Sequence, residues 1–405
     1  AMMAILLGPG RSQPADWPQW RGAKRDNHWA EKGLPDRLPE TLPQRWKQPI
    51  GGGYFGIAVT HGRVFVLDRQ TQPEEVERVL CLDARTGKTL WEHRYAVTYG
   101  KLDYGNGPRS TPTVHDGKVY AMGALGHLHC LEEKTGKLIW MRDTVKDFKG
   151  RVPTWGHACS PLVDGSQLIV QVGGQPGACL VALDLENGKE LWRSLDDRPG
   201  YASPVKIDGG SWKQLVYFTP QHVVGLEPGT GKVIWRVPFD GITYDVSISD
   251  VVYADGVLLA SNYWSGSKAI RLDEAGRNPE VAWEGKDLSL LMSTPLVKGK
   301  HVYALDRHRG LKCIEMRTGK ILWEGEHVTP RDTNPQASLV WTEGDKALIL
   351  NTPGELSLVE LTPEKLHKHG KAKIIGRTWA HPGFADQCVF ARSDEEIVCV
   401  SLTAP

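Results

Sequence analysis

The sequence lacks the cysteine patterns that mark metal and redox modules. Its 405 residues include 7 cysteines, none adjacent to another and none in a Cys-x-x-Cys pair. Zinc-ribbon, thioredoxin-like and c-type haem attachment motifs are therefore excluded. Serine-nucleophile and phosphate-loop motifs are also missing. Gly51–Gly53 lacks the lysine and the following helix that a phosphate loop needs, so it is interpreted as a flexible approach to a strand.

The sequence also lacks an excess of either charge and has no long apolar run. The chain has 49 basic and 48 acidic residues, a net charge of +1, whereas nucleic-acid binding needs a clustered basic surface. No stretch reaches the roughly 18 consecutive apolar residues of a membrane span, so none is predicted. The apolar start Met2–Leu7 is short and lacks a basic flank. Residues 1–15 are interpreted as a signal-peptide remnant or a non-native segment and are left out of the fold prediction.

Glycine and tryptophan are abundant, at 44 and 15 residues, and the tryptophans mark a repeat. The segment Val79–Trp91, which contains Asp-x-x-Thr-Gly-Lys before its tryptophan, recurs along the chain. Clean copies occupy 128–140, 180–192, 223–235 and 311–323, and degraded copies occupy 269–283 and 356–379. The copy at 356–379 is interpreted as having a turn stretched through residues 362–373.

The spacing of these tryptophans predicts an all-β, eight-bladed β-propeller with four-stranded antiparallel blades. Successive copies lie 40 to 56 residues apart, and Trp46 lies 45 residues before Trp91. Strand 44–50 should pair with the C-terminal strands in 387–402 to complete the eighth blade, because closure removes exposed sheet edges. The predicted organisation is an N-terminal extension at 16–43, packed on a single propeller at 44–405.

Eight tryptophans, at 46, 91, 140, 192, 235, 283, 323 and 379, are predicted to be structural wedges between blades. A buried indole covers roughly 150–250 Å², and a blade cannot bury both of its faces alone. Cys81, Cys130, Cys313 and Cys399 occupy one equivalent third-strand position, where a small buried thiol fits. Cys159, Cys179 and Cys388 are also expected to be buried thiols.

The Asp-x-x-Thr-Gly-Lys-x-x-Trp unit resembles the tryptophan-docking motif of quinoprotein alcohol dehydrogenases. It is also similar to the pyrroloquinoline-quinone-like (PQQ-like) repeats of BamB-type outer-membrane assembly proteins. The opening Asp16–Gly22 looks like the first segment of PQQ-like propellers common in planctomycete-type bacteria. The resemblance covers about residues 16–402 and implies an exported, periplasmic or otherwise extracytoplasmic protein. Its dehydrogenase members hold the quinone under a ring of two adjacent cysteines with calcium nearby. That cysteine pair is absent here, so no cofactor is expected.

In a propeller, the loops between blades and those between second and third strands converge on one end of the channel. In this sequence that end varies while the Thr-Gly-Lys end repeats, which is typical of a site placed on a repeated scaffold. Candidate proton-transfer residues are His157, Tyr244, Asp245, Arg109 and His308. Candidate ligand-binding residues are Tyr54, Arg69, Tyr104, Trp155, Tyr201, His222, Trp264, Arg309, Asn334, Gln336 and Asp386. His157, His222 and His308 show no local ligand spacing, so no metal site is predicted.

Aromatic rings mixed with arginine and amides favour a saccharide or another polar organic ligand. The first hypothesis is a monomeric binding or scaffolding module without bound quinone. The alternative is a carbohydrate lyase or hydrolase that uses the same channel end. A quinone-dependent dehydrogenase and an assembly factor acting through a protein partner remain open at this point.

Overall fold

A computed structural model describes residues 15–54, 56–241, 244–331 and 334–403. Within them lie eight four-stranded antiparallel sheets, so the predicted eight-bladed propeller is confirmed. Residues 1–14, which hold most of the predicted signal-peptide remnant, lie outside the described residues.

The strands are numbered in chain order. β1 is Gln44–Pro49. Blade one is β2 Ala58–Thr60, β3 Arg63–Gln70, β4 Val76–Asp83 and β5 Thr89–Ala96, and blade two is β6 Thr113–His115, β7 Lys118–Met122, β8 His127–Glu132 and β9 Leu138–Asp143. Blade three is β10 Leu162–Asp164, β11 Gln167–Gly174, β12 Ala178–Asp184 and β13 Glu190–Ser194, and blade four is β14 Val205–Asp208, β15 Lys213–Phe218, β16 His222–Leu226 and β17 Val233–Pro238. Blade five is β18 Val252–Ala254, β19 Val257–Asn262, β20 Gly266–Arg271 and β21 Glu280–Gly285, and blade six is β22 Leu296–Lys298, β23 His301–Asp306, β24 Gly310–Glu315 and β25 Ile321–Glu326. Blade seven is β26 Ala337–Trp341, β27 Lys346–Asn351, β28 Glu355–Leu361 and β29 Leu366–Lys373, and blade eight is completed by β30 Gly383–Ala385, β31 Cys388–Arg392 and β32 Glu396–Ser401.

The ring closes by pairing the N-terminal strand with the C-terminal ones, as predicted. β1 lies antiparallel to β32, with Trp46 opposite Cys399 and Pro49 opposite Glu396. The eighth sheet has the order β1-β32-β31-β30. Chain segments more than 340 residues apart in sequence therefore share one blade.

Seven of the eight predicted wedge tryptophans lie on outer strands and contact the neighbouring blade or their own sheet. The Trp91 indole donates to the Glu133 carbonyl oxygen of blade two at 2.9 Å. A Cβ built on Gly136, in the turn of that blade, would lie 2.4 Å from the Trp91 ring. Gly136 has φ +70°, so glycine is needed both for the backbone conformation and for the close approach. The third-strand cysteines face these rings, since Cys81, Cys130, Cys313 and Cys399 pair with Trp91, Trp140, Trp323 and Trp46.

The prediction for Trp379 is wrong. The third and fourth strands of blade seven are joined by a short turn, from Leu361 at the end of β28 to Leu366 at the start of β29. Trp379 therefore follows β29, in the loop toward blade eight, and lines a cavity. The stretched turn that we expected in blade seven does not form.

The segment 15–29 crosses the first strands of several blades. Trp17 pairs with Val59 of blade one, and the Pro18 carbonyl accepts from Val114 of blade two. Trp29 donates from its backbone to Trp341 of blade seven at 2.9 Å. Trp17 and Trp29 are each 1% exposed. The segment is thus held by burial and by backbone hydrogen bonds to strands around the channel.

The described residues contain one helix, α1, at Thr144–Phe148, with Asp143 capping its N-terminus. No helix in the described ranges has the length and apolar character needed to cross a membrane. All seven cysteines are free and buried, as expected.

Candidate functional site

A cavity of about 320 Å³ opens at the end of the channel where the inter-blade loops meet. Among the described residues, its walls carry nine aromatic ones: Trp20, Tyr54, Tyr104, Trp155, Tyr201, Tyr244, Tyr263, Trp264 and Trp379. Polar groups of the lining include Arg109, Ser160, Ser203, Asp250, Asn334, Gln336 and His381. The cavity therefore combines a large aromatic surface with a limited set of polar groups, which is typical of small-molecule sites.

One side of the wall is a continuous row of aromatic rings. Tyr54 contacts Trp379 at a centroid distance of 5.6 Å, and Trp379 contacts Tyr104 at 5.7 Å. Tyr104 reaches Trp155 at 6.3 Å, which stacks on Tyr201 at 5.3 Å. A second group of rings, Tyr244, Trp264 and Tyr263, lies in blade five and the loop before it. Since these rings come from different inter-blade loops, only the closed ring of blades brings them together.

The floor of the cavity is built by the N-terminal segment. The Trp20 indole donates to Oδ2 of Asp250 at 2.7 Å, and Oδ1 of Asp250 accepts from the Ser203 backbone at 2.7 Å. Arg21 lies 3.4 Å from the same carboxylate. Burial lowers the pKa of the Arg21 guanidinium, while the charge of Asp250 opposes that change. Asp250 thus holds both the ring that forms the floor and the buried cation beneath it.

His381 is 5% exposed, lines the cavity and packs edge-on to Trp20 at 4.5 Å. Burial lowers the pKa of His381 to about 3, and the charge of Arg21 adds to this. The imidazole is therefore neutral near pH 7, with one nitrogen as a donor and the other as an acceptor. Neither ring nitrogen has a hydrogen-bond partner within the described structure. A buried polar group without a partner is costly, so a ligand that satisfies His381 would gain affinity.

Arg109 lies between the aromatic row and the loop before blade two. Its Nη1 donates to the Gly107 carbonyl at 2.6 Å, and its Nη2 donates to the Asp103 carbonyl at 2.9 Å. The guanidinium carbon lies 5.4 Å from the centre of the Tyr54 ring. Burial lowers the pKa of Arg109. Arg109 therefore orders the loop and brings a positive charge to the cavity wall.

The structure gathers more than half of the predicted site residues around this cavity. Of the candidate proton-transfer residues, it places Tyr244 and Arg109 in the lining. Tyr244 is 63% exposed and lies at the mouth of the cavity. The predicted ligand-binding residues in the lining are Tyr54, Tyr104, Trp155, Tyr201, Trp264, Asn334 and Gln336. Gln336 is held by Ser293, whose hydroxyl donates to it at 2.9 Å.

His157 is not part of the cavity. Its side chain is fully buried, neither ring nitrogen has a partner within the described structure, and its backbone donates to Ala124 at 2.8 Å. Burial lowers the pKa of His157 to about 4. Its position before β10 aims the ring toward Gly126 of blade two. A shared proton-transfer site with Tyr244 and His308 is therefore not assembled.

Other predicted residues are engaged in contacts outside the cavity lining. Asp245 pairs with Arg198 at 2.8 Å, and His222 contacts Asp197 at 2.7 Å. The remaining contacts link Arg69 to Glu75 at 2.8 Å, Arg309 to Glu324 at 3.5 Å, and His308 to Arg307 at 2.8 Å. Within the described ranges, no group of three or more His, Cys, Asp or Glu side chains is placed to hold a metal ion.

Asp386 lies at the other end of the propeller. It occupies the turn between β30 and β31, with φ +50°. Turns between first and second strands lie on the same side as the Thr-Gly-Lys turns, because consecutive antiparallel strands alternate in direction. Its assignment to the cavity end was therefore a misplacement of the strand boundaries in blade eight.

Sequence reasoning missed Trp20, Asp250, His381, Tyr263 and Trp379. Trp379 was assigned to the repeat, and Tyr263 directly precedes the selected Trp264. Asp250 and His381 lie just before first strands, where blade-by-blade inspection of the loops would have found them. Trp20 lies in the cavity beside Asp250, its hydrogen-bond partner 230 residues later in the sequence. No local sequence pattern predicts a contact over that separation.

The fold and the cavity define a class: an eight-bladed propeller with an aromatic-walled site at one end of its channel. The model of the family described as "Outer membrane protein assembly factor BamB" matches residues 75–325 and 221–404. The chain belongs to this PQQ-like propeller family, as the sequence resemblance indicated.

Individual relatives are distant. Outer membrane protein assembly factor BamB of Shewanella oneidensis is 24% identical over 53% of this chain and 56% of its own length. Quinohemoprotein alcohol dehydrogenase ADH-IIG of Pseudomonas putida is 27% identical over 49% of this chain and 30% of its own length. The chain thus spans less than two thirds of the length of these relatives.

Solved structures agree on the fold. Quinohemoprotein alcohol dehydrogenase from Comamonas testosteroni gives a TM-score of 0.67 at 16% identity, covering 96% of this chain and 81% of that one. BamB from Moraxella catarrhalis gives a TM-score of 0.61 at 15% identity, covering 89% of this chain and 98% of that one. At such identities the likeness concerns the fold, and function depends on the site.

Proposed function

We propose that the protein is an extracytoplasmic binding module whose cavity receives a sugar ring or a similar polar organic ring. The observation that carries this proposal is a described lining of nine aromatic residues with a limited set of polar groups. Aromatic faces stack on the apolar faces of sugar rings, while a few fixed polar groups orient the hydroxyls. The extracytoplasmic location is supported by relatives named as outer membrane assembly factors.

The cavity lining offers hydrogen-bonding groups suited to hydroxyls. His381 supplies a neutral donor and acceptor without partners in the described structure, and Gln336 and Asn334 supply amides. Hydroxyl groups both donate and accept, so they match this mixed set. The ligand would enter from the open end, because the segment carrying Trp20 covers the other side of the cavity.

The donor set does not fit a calcium-held quinone, and the proposal includes no bound quinone. Calcium prefers several carboxylate and carbonyl oxygens. Asp250 is the carboxylate that lines the cavity in the described residues. Its oxygens accept from Trp20, Arg21 and Ser203. A calcium ion there would displace Arg21 from a buried ion pair.

The geometry supports carbohydrate cleavage less well than binding. A lyase or hydrolase needs an acid and a base on opposite sides of one bond. His157 is sealed from the cavity, and Asp245 is paired with Arg198. Of the predicted proton-transfer residues, only Tyr244, at the mouth, and Arg109, in the wall, line the cavity in the described structure.

Contact with a protein partner is a second candidate function, favoured by one observation. β9 is the outer strand of blade two, and it exposes Leu138, Ile139 and Met141 at 42–44%. Apolar residues on an unpaired strand edge suit the addition of an extended strand from a partner. Capture of a β-strand peptide library, lost in Met141→Lys but retained in Leu322→Lys, tests this candidate.

The test of the main proposal is calorimetry with monosaccharides and short glycans on the full chain. Trp155→Ala should abolish binding, because it removes the ring that links Tyr104 to Tyr201. Tyr253→Ala, which removes an aromatic ring outside the cavity, is the matched control and should bind as the wild type does. Retention of PQQ and calcium in equal amounts to protein after desalting would contradict the proposal.

A further inference from the structure

A second cavity, of about 470 Å³, adjoins the first. Three residues line both: Tyr54, Tyr104 and Trp379. Their rings touch one another, with centroid distances of 5.6, 5.7 and 6.4 Å. We call these three rings the aromatic rim. Because both cavities reach the same rings, a ligand that stacks on the rim from one cavity can continue into the other.

The backbone at the rim is strained in a way that presents one of its rings. Tyr104 has φ +51°, a conformation that is unfavourable for a non-glycine residue. Its side chain is 48% exposed, so burial of the ring does not explain the strain. Arg109 holds this loop through the Asp103 and Tyr104 carbonyls. The loop is thus fixed with an exposed aromatic ring between two cavities.

The second cavity differs from the first in chemistry. Its described lining carries three carboxylates, Asp394, Glu395 and Glu396, against one arginine, Arg377. Glu396 pairs with Lys47. Asp394 accepts from the Gly53 backbone at 3.2 Å and from Asn106 at 2.9 Å, which fixes it at the cavity edge. The remaining Asp394 and Glu395 exceed Arg377 by one charge, which favours cationic or neutral groups over carboxylates and sulfates.

We propose that the two cavities form one elongated site for a short amino-sugar oligosaccharide. One ring lies in the aromatic cavity, the chain crosses the aromatic rim, and the next ring places its ammonium group near Asp394. This inference rests on the proposed function and adds the length and charge of the ligand. Linked rings gain affinity over single rings because the second contact becomes intramolecular.

The test compares three ligands by calorimetry on the full chain: glucosamine, its β-1,4-linked tetramer, and tetragalacturonate. We expect the glucosamine tetramer to bind at least tenfold more tightly than the monomer, and tetragalacturonate to show no such gain. Equal affinity of monomer and tetramer would overturn the elongated site while leaving the single-ring function intact. Absence of binding by every saccharide would overturn both.

Variants separate the rim and the second cavity from the first. Tyr104→Gly removes a rim ring at a φ that glycine adopts freely, so folding should be unaffected. Asp394→Asn, which changes the second cavity alone, should remove most of the tetramer's gain and leave monomer affinity within twofold. Tyr104→Gly should remove the gain and also weaken monomer binding, because Tyr104 lines both cavities. Asp240→Asn, an exposed carboxylate outside both cavities, should leave the gain unchanged. A gain that survives both test variants would refute the assignment of the second cavity.

Discussion

Tryptophan lies at both ends of the propeller, and its surroundings differ between them. At the turn end, the Trp91 indole donates to the Glu133 carbonyl and its ring lies against Gly136 of the next blade. At the cavity end, the Trp379 ring is part of the wall, and its indole nitrogen has no partner within the described structure. The comparison teaches that residue type alone does not separate a structural ring from a ligand-facing one. For this pair the distinction lies in what the ring faces, which is a turn glycine of the next blade for Trp91 and the cavity for Trp379.

The largest expected effect compares the two rings directly. Trp91→Ala removes an 8% exposed ring and should lower the free energy of unfolding by about 3–5 kcal/mol. Trp379→Ala should lower it by about 1 kcal/mol or less, because this ring borders open space, while saccharide binding is lost. Urea denaturation and calorimetry measure both quantities. Equal destabilisation by the two variants would remove the distinction between the ends.

A second prediction concerns the floor of the cavity. Asp250→Ala leaves the buried Arg21 without its ion-pair partner and should cost about 3 kcal/mol. Limited proteolysis should then cleave the segment before Trp29. The control is Asp345→Ala, which breaks an exposed pair with Lys298 and should cost under about 1 kcal/mol. A floor that stays protected in Asp250→Ala would show that Trp17 and Trp29 hold the segment by themselves.

The third prediction is a loss of stability in acid. The pKa values of His381 and His157 are lowered to about 3 and about 4 by burial, while an unfolded histidine has a pKa near 6.5. Below about pH 6.5 the unfolded chain takes up protons that the folded chain does not, so stability falls until the folded pKa is reached. Each histidine should lower the free energy of unfolding by about 2 kcal/mol between pH 7 and pH 5.

His157→Leu should reduce that loss by the share of one histidine without changing ligand affinity at pH 7. Denaturation curves at pH 7 and pH 5 provide the measurement. An unchanged pH dependence in this variant would mean that another group dominates acid unfolding.

The smallest effect concerns the turn glycines. Gly136→Ala meets both a positive φ and the Trp91 ring, and should cost about 1–3 kcal/mol. Gly117→Ala has φ +71° but no atom within 4 Å of the added Cβ, so it should cost about 1 kcal/mol from the backbone alone. The difference between their melting curves measures the contact with the indole. Identical costs would mean that the ring moves aside freely.

The contrast between the repeated turn end and the variable cavity end explains how much of the fold could be predicted from the sequence. The repeat recurs in the blades because each blade packs against a neighbour of the same kind. The blade count and the pairing of Trp46 with the C-terminal strands could therefore be predicted from the sequence. Trp379 was misassigned because a spacing of one period suggested a blade position, while the short turn after Leu361 ends the blade earlier. Spacing alone cannot report where a strand stops.

The sequence predicted where the cavity lies better than it predicted which residues line it. Loops that converge at one end had to contribute, and Trp155, Tyr201 and Gln336 do. His157 was not separable from them by sequence, since it sits two residues after Trp155 and yet points into the protein. Trp20 and Asp250 come together only through the closed ring, so their contact depends on tertiary structure that no local pattern carries.

The segment that carries Trp20 precedes every described strand in the chain, yet it contacts blades one, two and seven and the residues before blade five. It therefore finds all of its partners only when blade seven has been made and the ring has nearly closed. An incomplete or opened ring would have neither floor nor wall, and so no site. Binding of the proposed ligand would therefore require the complete ring.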